Sequence, residues 1–392
     1  MALLSIVCTV ALSKLLQAEG EPSLRINPLD VDARVAVVSA ALSASNLHAG
    51  QLAALEGQTR NAIALEPVDA RLRSLLGEIE LRKNEPEAAQ AAFLSAQEIS
   101  KTEQLSLRRL IAGSIERRQT AEAIRYIDLF LRRWPGNFVD VAPVVPPLLQ
   151  DPAAYTQTLN ALQARPPWRF SLIRAFARSD SGLASRLLLD LSTGPAPASE
   201  GELNTVLTAL LREKQYQAAR RLFLFTLPDQ SWDRAGLVFN PRFLPDGSSL
   251  PFEWIYRNTA AAYLQPSTTE PQNGMTVRFL DKPARDVQLR QALVLEPGRY
   301  RLKLTSSGAS LKVPRGLYWQ LRCLDGRNEL ARLEIAEGTY RNQESVVDFE
   351  VADCPAQSLD LRSGLVADSW LYRYSGRITF HEIAIERVND PD

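Results

Sequence analysis

The sequence predicts an α+β multidomain chain, with an N-terminal α-helical solenoid and a C-terminal antiparallel β-sandwich. Three observations carry that prediction. From about residue 27 to 230, apolar residues recur at helical spacing and are interrupted by proline-bearing turns. Beyond Asp229 the texture changes, because four of the six tryptophans and seven of the ten tyrosines lie there. In that same region short runs alternate at period two between turn residues, the pattern of strands with one buried face. With 392 residues the chain is long enough for more than one core. The expected division is an apolar N-terminal segment and linker over 1–26, helical repeats over 27–230 and a sandwich over 231–392.

The N-terminal stretch MALLSIVCTVALSKLLQ is apolar through Leu12 apart from small Ser and Thr. It is shorter than the roughly 20 residues of a full membrane span. No Lys or Arg precedes Lys14, so the basic start of a secretory signal is missing. Val7 stands before Cys8 where a lipoprotein cleavage site needs a small residue. Three readings stay open: the remnant of a single membrane anchor, a weak signal, or a first amphipathic helix. The polar stretch AEGEPS that follows reads as a linker and favours the anchor.

The helical pattern is clearest over Asp69–Ile99. Leu72, Leu75, Leu76 and Ile79 share one face, NEP breaks the helix, and Pro86 suits the first turn of the next. Ala89, Ala92, Phe93 and Ala96 then share a second face. The small Gly77, the small/large series Ala89, Phe93 and Ala96, Ala123 at 34 residues after Ala89, and Pro135 closing the next helix resemble the tetratricopeptide repeat (TPR). Arg73 stands where that family has an aromatic residue. A longer pair precedes (Pro28 to Pro67), and a later one carries Ala218, Ala219, Phe223 and Pro228. Residues 137–200, broken by PVVPP, ARPPW and TGPAPAS, read as divergent helix pairs. The resemblance implies stacked pairs with a concave groove that holds a protein partner.

In the C-terminal part, GLYWQLRCLDG puts Leu317, Trp319, Leu321 and Cys323 on one face, and this predicts a core tryptophan. EPGRYRLKL predicts a turn at Pro297–Gly298 and a strand with Tyr300, Leu302 and Leu304 inward. Val347, Phe349 and Val351 point one way, followed by Leu359 and Leu361. In the last strand Ile378 and Phe380 give way to Ile383 and Ile385, so a bulge is expected at His381–Glu382. Cys323 and Cys354 read either as a disulfide made in an oxidising compartment or as two buried free thiols.

The order of features is similar to that of jelly-roll carbohydrate-binding modules and their galactose-binding-like relatives. It rests on Asn240, Phe243, Pro251, Phe252 and Trp254 in the opening stretch, on the central LEPGRYRLKL and on the closing GRITFHEIAIERV. Pro241 replaces the glycine expected in that opening. The resemblance implies a fold, and a sugar site would need aromatics facing solvent. Trp254, Tyr256, Trp370, Tyr372 and Tyr374 are the candidates, with core packing the competing reading for each; alternation places the last three on one strand face.

Other classes are disfavoured. Forty-five basic residues balance 45 acidic ones, without the cationic excess that nucleic-acid binding requires. The only histidines are His48, in a polar loop, and His381, in the last strand, so no catalytic or metal role is expected, and no cofactor. Nucleotide-binding, zinc-protease and serine-hydrolase motifs are missing. Carboxylates such as Asp348 and Glu350 alternate with core residues as on a solvated strand face. The expected function is a non-enzymatic adaptor whose helices hold a protein and whose sandwich holds a polysaccharide. The combination is similar to accessory proteins of bacterial exopolysaccharide or O-antigen assembly, which implies a periplasmic, inner-membrane-anchored location; a cytoplasmic one is the alternative. A structural scaffold without a glycan site, or a glycan-active hydrolase or lyase, are the competing functions.

Overall fold

The computed structural model describes residues 20–44, 46–245, 250–268, 274–325, 328–367 and 370–388. The chain forms two compact units that divide between Leu172 and Ile173. The expected anchor or signal lies, through residue 19, outside the described residues. Its expected linker is instead partly helical: α1 (Glu21–Ile26) starts on Glu21 and Pro22, both favoured in a first turn. Ser23 Oγ donates to Asp30 Oδ2 at 2.7 Å, which ties α1 to the cap of the next helix. Among the described residues no helix is long and apolar enough to cross a membrane.

The first unit continues as α2 (Val31–Leu42), α3 (Ala49–Leu65), α4 (Ala70–Arg82), α5 (Pro86–Ile99), α6 (Gln104–Glu116) and α7 (Thr120–Arg133). Side-chain caps satisfy the first amides: Asp30 for α2, Asp69 for α4 and Glu103 for α6. His48 caps α3, accepting from the Gln51 amide at 3.3 Å while Gln51 Oε1 accepts from the His48 amide.

The turns that join α4 to α5 and α6 to α7 have the same geometry. Asn84 (φ 62°) and Arg118 (φ 58°) are left-handed, 34 residues apart. One residue on, the Glu85 amide donates to Glu80 O at 2.9 Å and the Gln119 amide to Ser114 O at 2.8 Å. That six-residue closure satisfies carbonyls the helix end would leave orphaned. Ala89, Phe93, Ala96 and Ala123 are all buried. At Gly77 a Cβ would lie 2.4 Å from the Phe93 ring, so only glycine lets α4 and α5 approach. Buried carboxylates link successive hairpins: Glu78 of α4 binds Arg109 of α6, and Glu80 binds Arg60 of α3 and Lys83, both at 2.9 Å. Pro135 follows α7 and opens a 3₁₀ turn over Pro135–Asn137. Then come α8 (Phe138–Val141), α9 (Val145–Leu148) and α10 (Pro152–Gln163).

The helix α11 (Arg169–Ser179) spans the division between the units. In the second unit α12 (Ser181–Ser192) precedes the hairpin α13 (Glu200–Arg212) and α14 (Tyr216–Phe225). Its turn repeats the geometry above, with Lys214 at φ 59° and the Gln215 amide donating to Leu210 O at 2.8 Å.

Among the described residues ten antiparallel strands follow: β1 (Ile255–Arg257), β2 (Ala262–Ser267), β3 (Gly274–Lys282), β4 (Gln288–Leu293), β5 (Gly298–Lys312), β6 (Leu317–Cys323), β7 (Glu329–Glu334), β8 (Gly338–Val351), β9 (Gln357–Ser363) and β10 (Tyr374–Arg387). They form two five-stranded sheets, ordered β1-β4-β9-β6-β7 and β2-β3-β10-β5-β8. Leu317, Trp319, Leu321 and Cys323 of one sheet face Ile378, Phe380, Ile383 and Ile385 of the other in a single core. The Trp319 ring lies 5.3 Å from Phe380 and 5.7 Å from Trp254, both edge-on. The register of β10 against β5 shifts between Phe380 and Glu382, which keeps Ile383 and Ile385 inward after the bulge. A disulfide joins Cys323, at the end of β6, to Cys354, just beyond β8 in the other sheet (Cα–Cα 5.6 Å). For a loop of this span the bond contributes about 3–4 kcal/mol by restricting the unfolded chain.

The helix α14 packs on the segment that leads into β1. Phe223 of α14 is buried against Phe239 at 5.0 Å and Phe252 at 5.5 Å. Arg220 lies over the Phe252 ring at 5.5 Å and donates to Gly236 O, and its burial pulls the guanidinium pKa down to about 10. The compact unit that holds the strands begins at Ile173 and includes α12 to α14.

Candidate functional site

The five aromatic candidates separate by where the chain puts them. Trp254 is 8% exposed, just ahead of β1. Its Nε1 donates to Asn240 O at 2.9 Å, and its ring lies 4.6 Å from Phe243. The backbone of Asn240 is left-handed (φ 51°), and its side chain both donates to and accepts from Leu244. The opening motif is thus a structural knot. Tyr374, the first residue of β10, is fully buried. Its hydroxyl donates to Gly316 O at 2.9 Å and accepts from Ser363 Oγ at 3.0 Å, while burial raises its pKa. Neither ring can serve as a platform, which corrects their candidacy: each has apolar neighbours on the ring and a polar partner at its tip, the arrangement of a satisfied core aromatic.

Tyr256, at 41% exposed, sits on the short edge strand β1. With Asn240, Glu253, Trp254 and Met275 it lines a cavity of about 60 Å³, small for a sugar ring.

Trp370 is 65% exposed and Leu371 87% exposed. They lie in the turn between β9 and β10, before the strand begins at Tyr374. The expected common strand face for Trp370, Tyr372 and Tyr374 is therefore corrected. In a turn, period-two alternation does not govern direction, so one ring is open, one half-buried and one buried. Tyr372 is the half-buried member and packs its apolar side on the sandwich core.

The rim around Trp370 is built from several elements. Gly364 approaches so closely that a Cβ there would lie 1.9 Å from Arg315 O, and its amide donates to Gly316 O at 3.1 Å. This brings the β9–β10 turn beside the β5–β6 turn. There the Arg315 guanidinium lies 4.6 Å over Tyr372. Arg373 lies 5.3 Å over Trp370, donates to Trp370 O at 3.3 Å and reaches Asp281 Oδ2 at 3.4 Å. In register, Lys282 pairs with Tyr374 and Lys312 with Ser375. A wide-open ring stiffened by a guanidinium can accept the C–H face of a flat ligand, and the arginines supply hydrogen-bond donors beside it.

Arg315 and Arg373 were not among the sequence candidates; the signal that could have found Arg373 is its position between Tyr372 and Tyr374. A second exposed tyrosine, Tyr263, stands on β2 with Arg278 5.8 Å over its ring. The alternation of buried Ala262 and Leu264 with exposed Tyr263 and Gln265 marks it. His381 Nε2 lies 2.8 Å from Ser307 Oγ on the neighbouring strand. In the helical unit Gly77, Ala89, Phe93, Ala96 and Ala123 are buried, with Gly77 against the Phe93 ring. The groove there, about 480 Å³, is lined by Gln90, Leu94, Ser114, Arg118, Tyr126 and Asp151 among others.

No protein-family model matches the chain, and no curated protein matches it at a significant level. Among solved structures it is similar to a CBM4 domain, at 13% identity over 38% of this chain and 99% of that one, with a TM-score of 0.28. It is also similar to a carbohydrate binding module of Cellvibrio mixtus lichenase 5A in complex with cellotriose (9% identity, 36% of this chain, 100% of that one, TM-score 0.23). A third is TmCBM61 in complex with beta-1,4-galactotriose (17% identity, 38% of this chain, 92% of that one, TM-score 0.24).

Proposed function

We propose that the protein is a non-enzymatic adaptor whose sandwich binds a glycan at the Trp370 rim and whose helical hairpins hold a protein partner. The observation that supports the glycan half is the position of Trp370. A 65% exposed tryptophan two residues from the half-buried Tyr372, each with an arginine over its ring, is a larger aromatic surface than a single scattered apolar residue presents. For the helical half, the support is the TPR-like repetition of the turn at Asn84 and Arg118 and of the packing at Ala89 and Ala123. The Cys323–Cys354 bond fits an oxidising compartment and supports an envelope location.

A purely structural sandwich is the second reading, favoured by the contact of Phe223 with Phe239 and Phe252. That reading requires the aromatic candidates to be occupied in the fold, and Trp370 is not. The test is affinity electrophoresis of the full-length chain in gels containing xylan, β-glucan, galactan or polygalacturonate, beside Trp370→Ala. Retardation by at least one polymer, lost in the variant while its melting temperature is kept, is the expected result. Equal mobility of both proteins in every gel would transfer the function to the helical groove.

A further inference from the structure

The rim around Trp370 is asymmetric in its hydrogen-bonding chemistry. A neutral sugar offers hydroxyl groups and is held by a balance of donors and acceptors, with side-chain carboxylates and amides supplying the acceptors. Here the guanidiniums placed on the rim are Arg315 and Arg373, and the carboxylates beside them are Asp281, Glu334, which lies against Gly316, and Glu337. All three carboxylates are engaged: Asp281 by Arg373 at 3.4 Å, Glu334 by Arg332 at 2.6 Å, and Glu337 by the Val313 amide. Arg315 is exposed over Tyr372 and, among the described residues, has no carboxylate partner. A guanidinium lying over a ring keeps its in-plane N–H groups directed outward, and that fork matches a carboxylate bidentately.

We propose that the rim selects an acidic polysaccharide, one bearing uronic-acid carboxylates, with Trp370 under a sugar ring and Arg315 on the carboxylate. The proposal rests on the reading of the rim as a glycan site. The acid then supplies the acceptors that the rim does not, and the glycan backbone supplies the C–H face that Trp370 requires.

The experiment compares polygalacturonate with the same polymer after carboxyl reduction, using full-length protein in titration calorimetry or affinity gels. About tenfold tighter binding of the acidic form is expected, the scale of one charge-assisted bidentate contact. Raising salt from about 0.05 to about 0.5 M should shrink the difference, since the rim is open to solvent. Arg315→Gln should abolish the preference and keep the residual affinity for the reduced polymer, whereas Trp370→Ala should lose both. Equal binding of the two polymers by the parent protein would overturn the acid preference alone. Binding of neither would overturn the acid preference, and the glycan reading would fall with it only if xylan, β-glucan and galactan gels also fail to retard the protein. Trp370-dependent binding to phosphatidylserine vesicles, with no binding to polygalacturonate, would replace the polysaccharide by a membrane surface.

Discussion

The α4–α7 hairpins and the sandwich solve the same packing problem over different chain distances. In the hairpins, Gly77 meets Phe93 across one turn, and the same turn returns 34 residues later. Partners are near in sequence, so small and large residues at fixed offsets reveal who touches whom. In the sandwich, Trp319 meets Phe380, and Phe223 meets Phe252 from outside the strands altogether. There, pattern tells which face a residue takes and never which partner it finds. The difference teaches that a domain edge drawn from texture need not be an edge in packing.

The comparison can be broken most sharply at that edge. Residues 231–392 expressed alone would uncover Phe239 and Phe252, at a cost of about 3–6 kcal/mol for two large side chains. The expected outcome is a non-cooperative melt with dye-binding apolar surface, while residues 173–392 melt cooperatively. A cooperative, dye-free melt of the shorter piece would restore the boundary at 231. Next in size is a pair of tryptophans. Trp319→Ala should cost about 3–5 kcal/mol in denaturant unfolding, because it empties the centre of the core. Trp370→Ala should stay within about 0.5 kcal/mol of the parent, as an exposed turn residue. Equal losses would mean that Trp370 is a core residue. An effect between those of the two tryptophans is expected in the hairpins. Gly77→Val places a side chain against the Phe93 ring and should cost about 1–3 kcal/mol by overpacking; the second change Phe93→Leu should recover part of it. No recovery would place the strain elsewhere than in the Gly77–Phe93 contact.

Much of this was legible before any coordinates. The inward set Leu317, Trp319, Leu321 and Cys323 follows from period two alone, as does the bulge near His381, where the apolar register changes phase. The helix pair at 70–99 follows from apolar spacing, NEP and Pro86. The candidate site was legible only in part. Trp370 and Tyr372 are visible as aromatics in a turn-rich stretch, but Trp254 and Tyr374 look the same on paper and lie in the core. Arg315 becomes a rim residue because Gly364, about fifty residues away in sequence, closes on it, whereas Arg373 stands over Trp370 from three residues away.

By itself, then, the sequence determined the elements and their inward faces, since periodicity, caps and breakers act within a few residues. Tertiary structure alone decided which aromatics were consumed by the core, which arginines came to stand beside Trp370, and where the second unit begins. Those outcomes depend on contacts between distant segments, and local propensity carries no record of them.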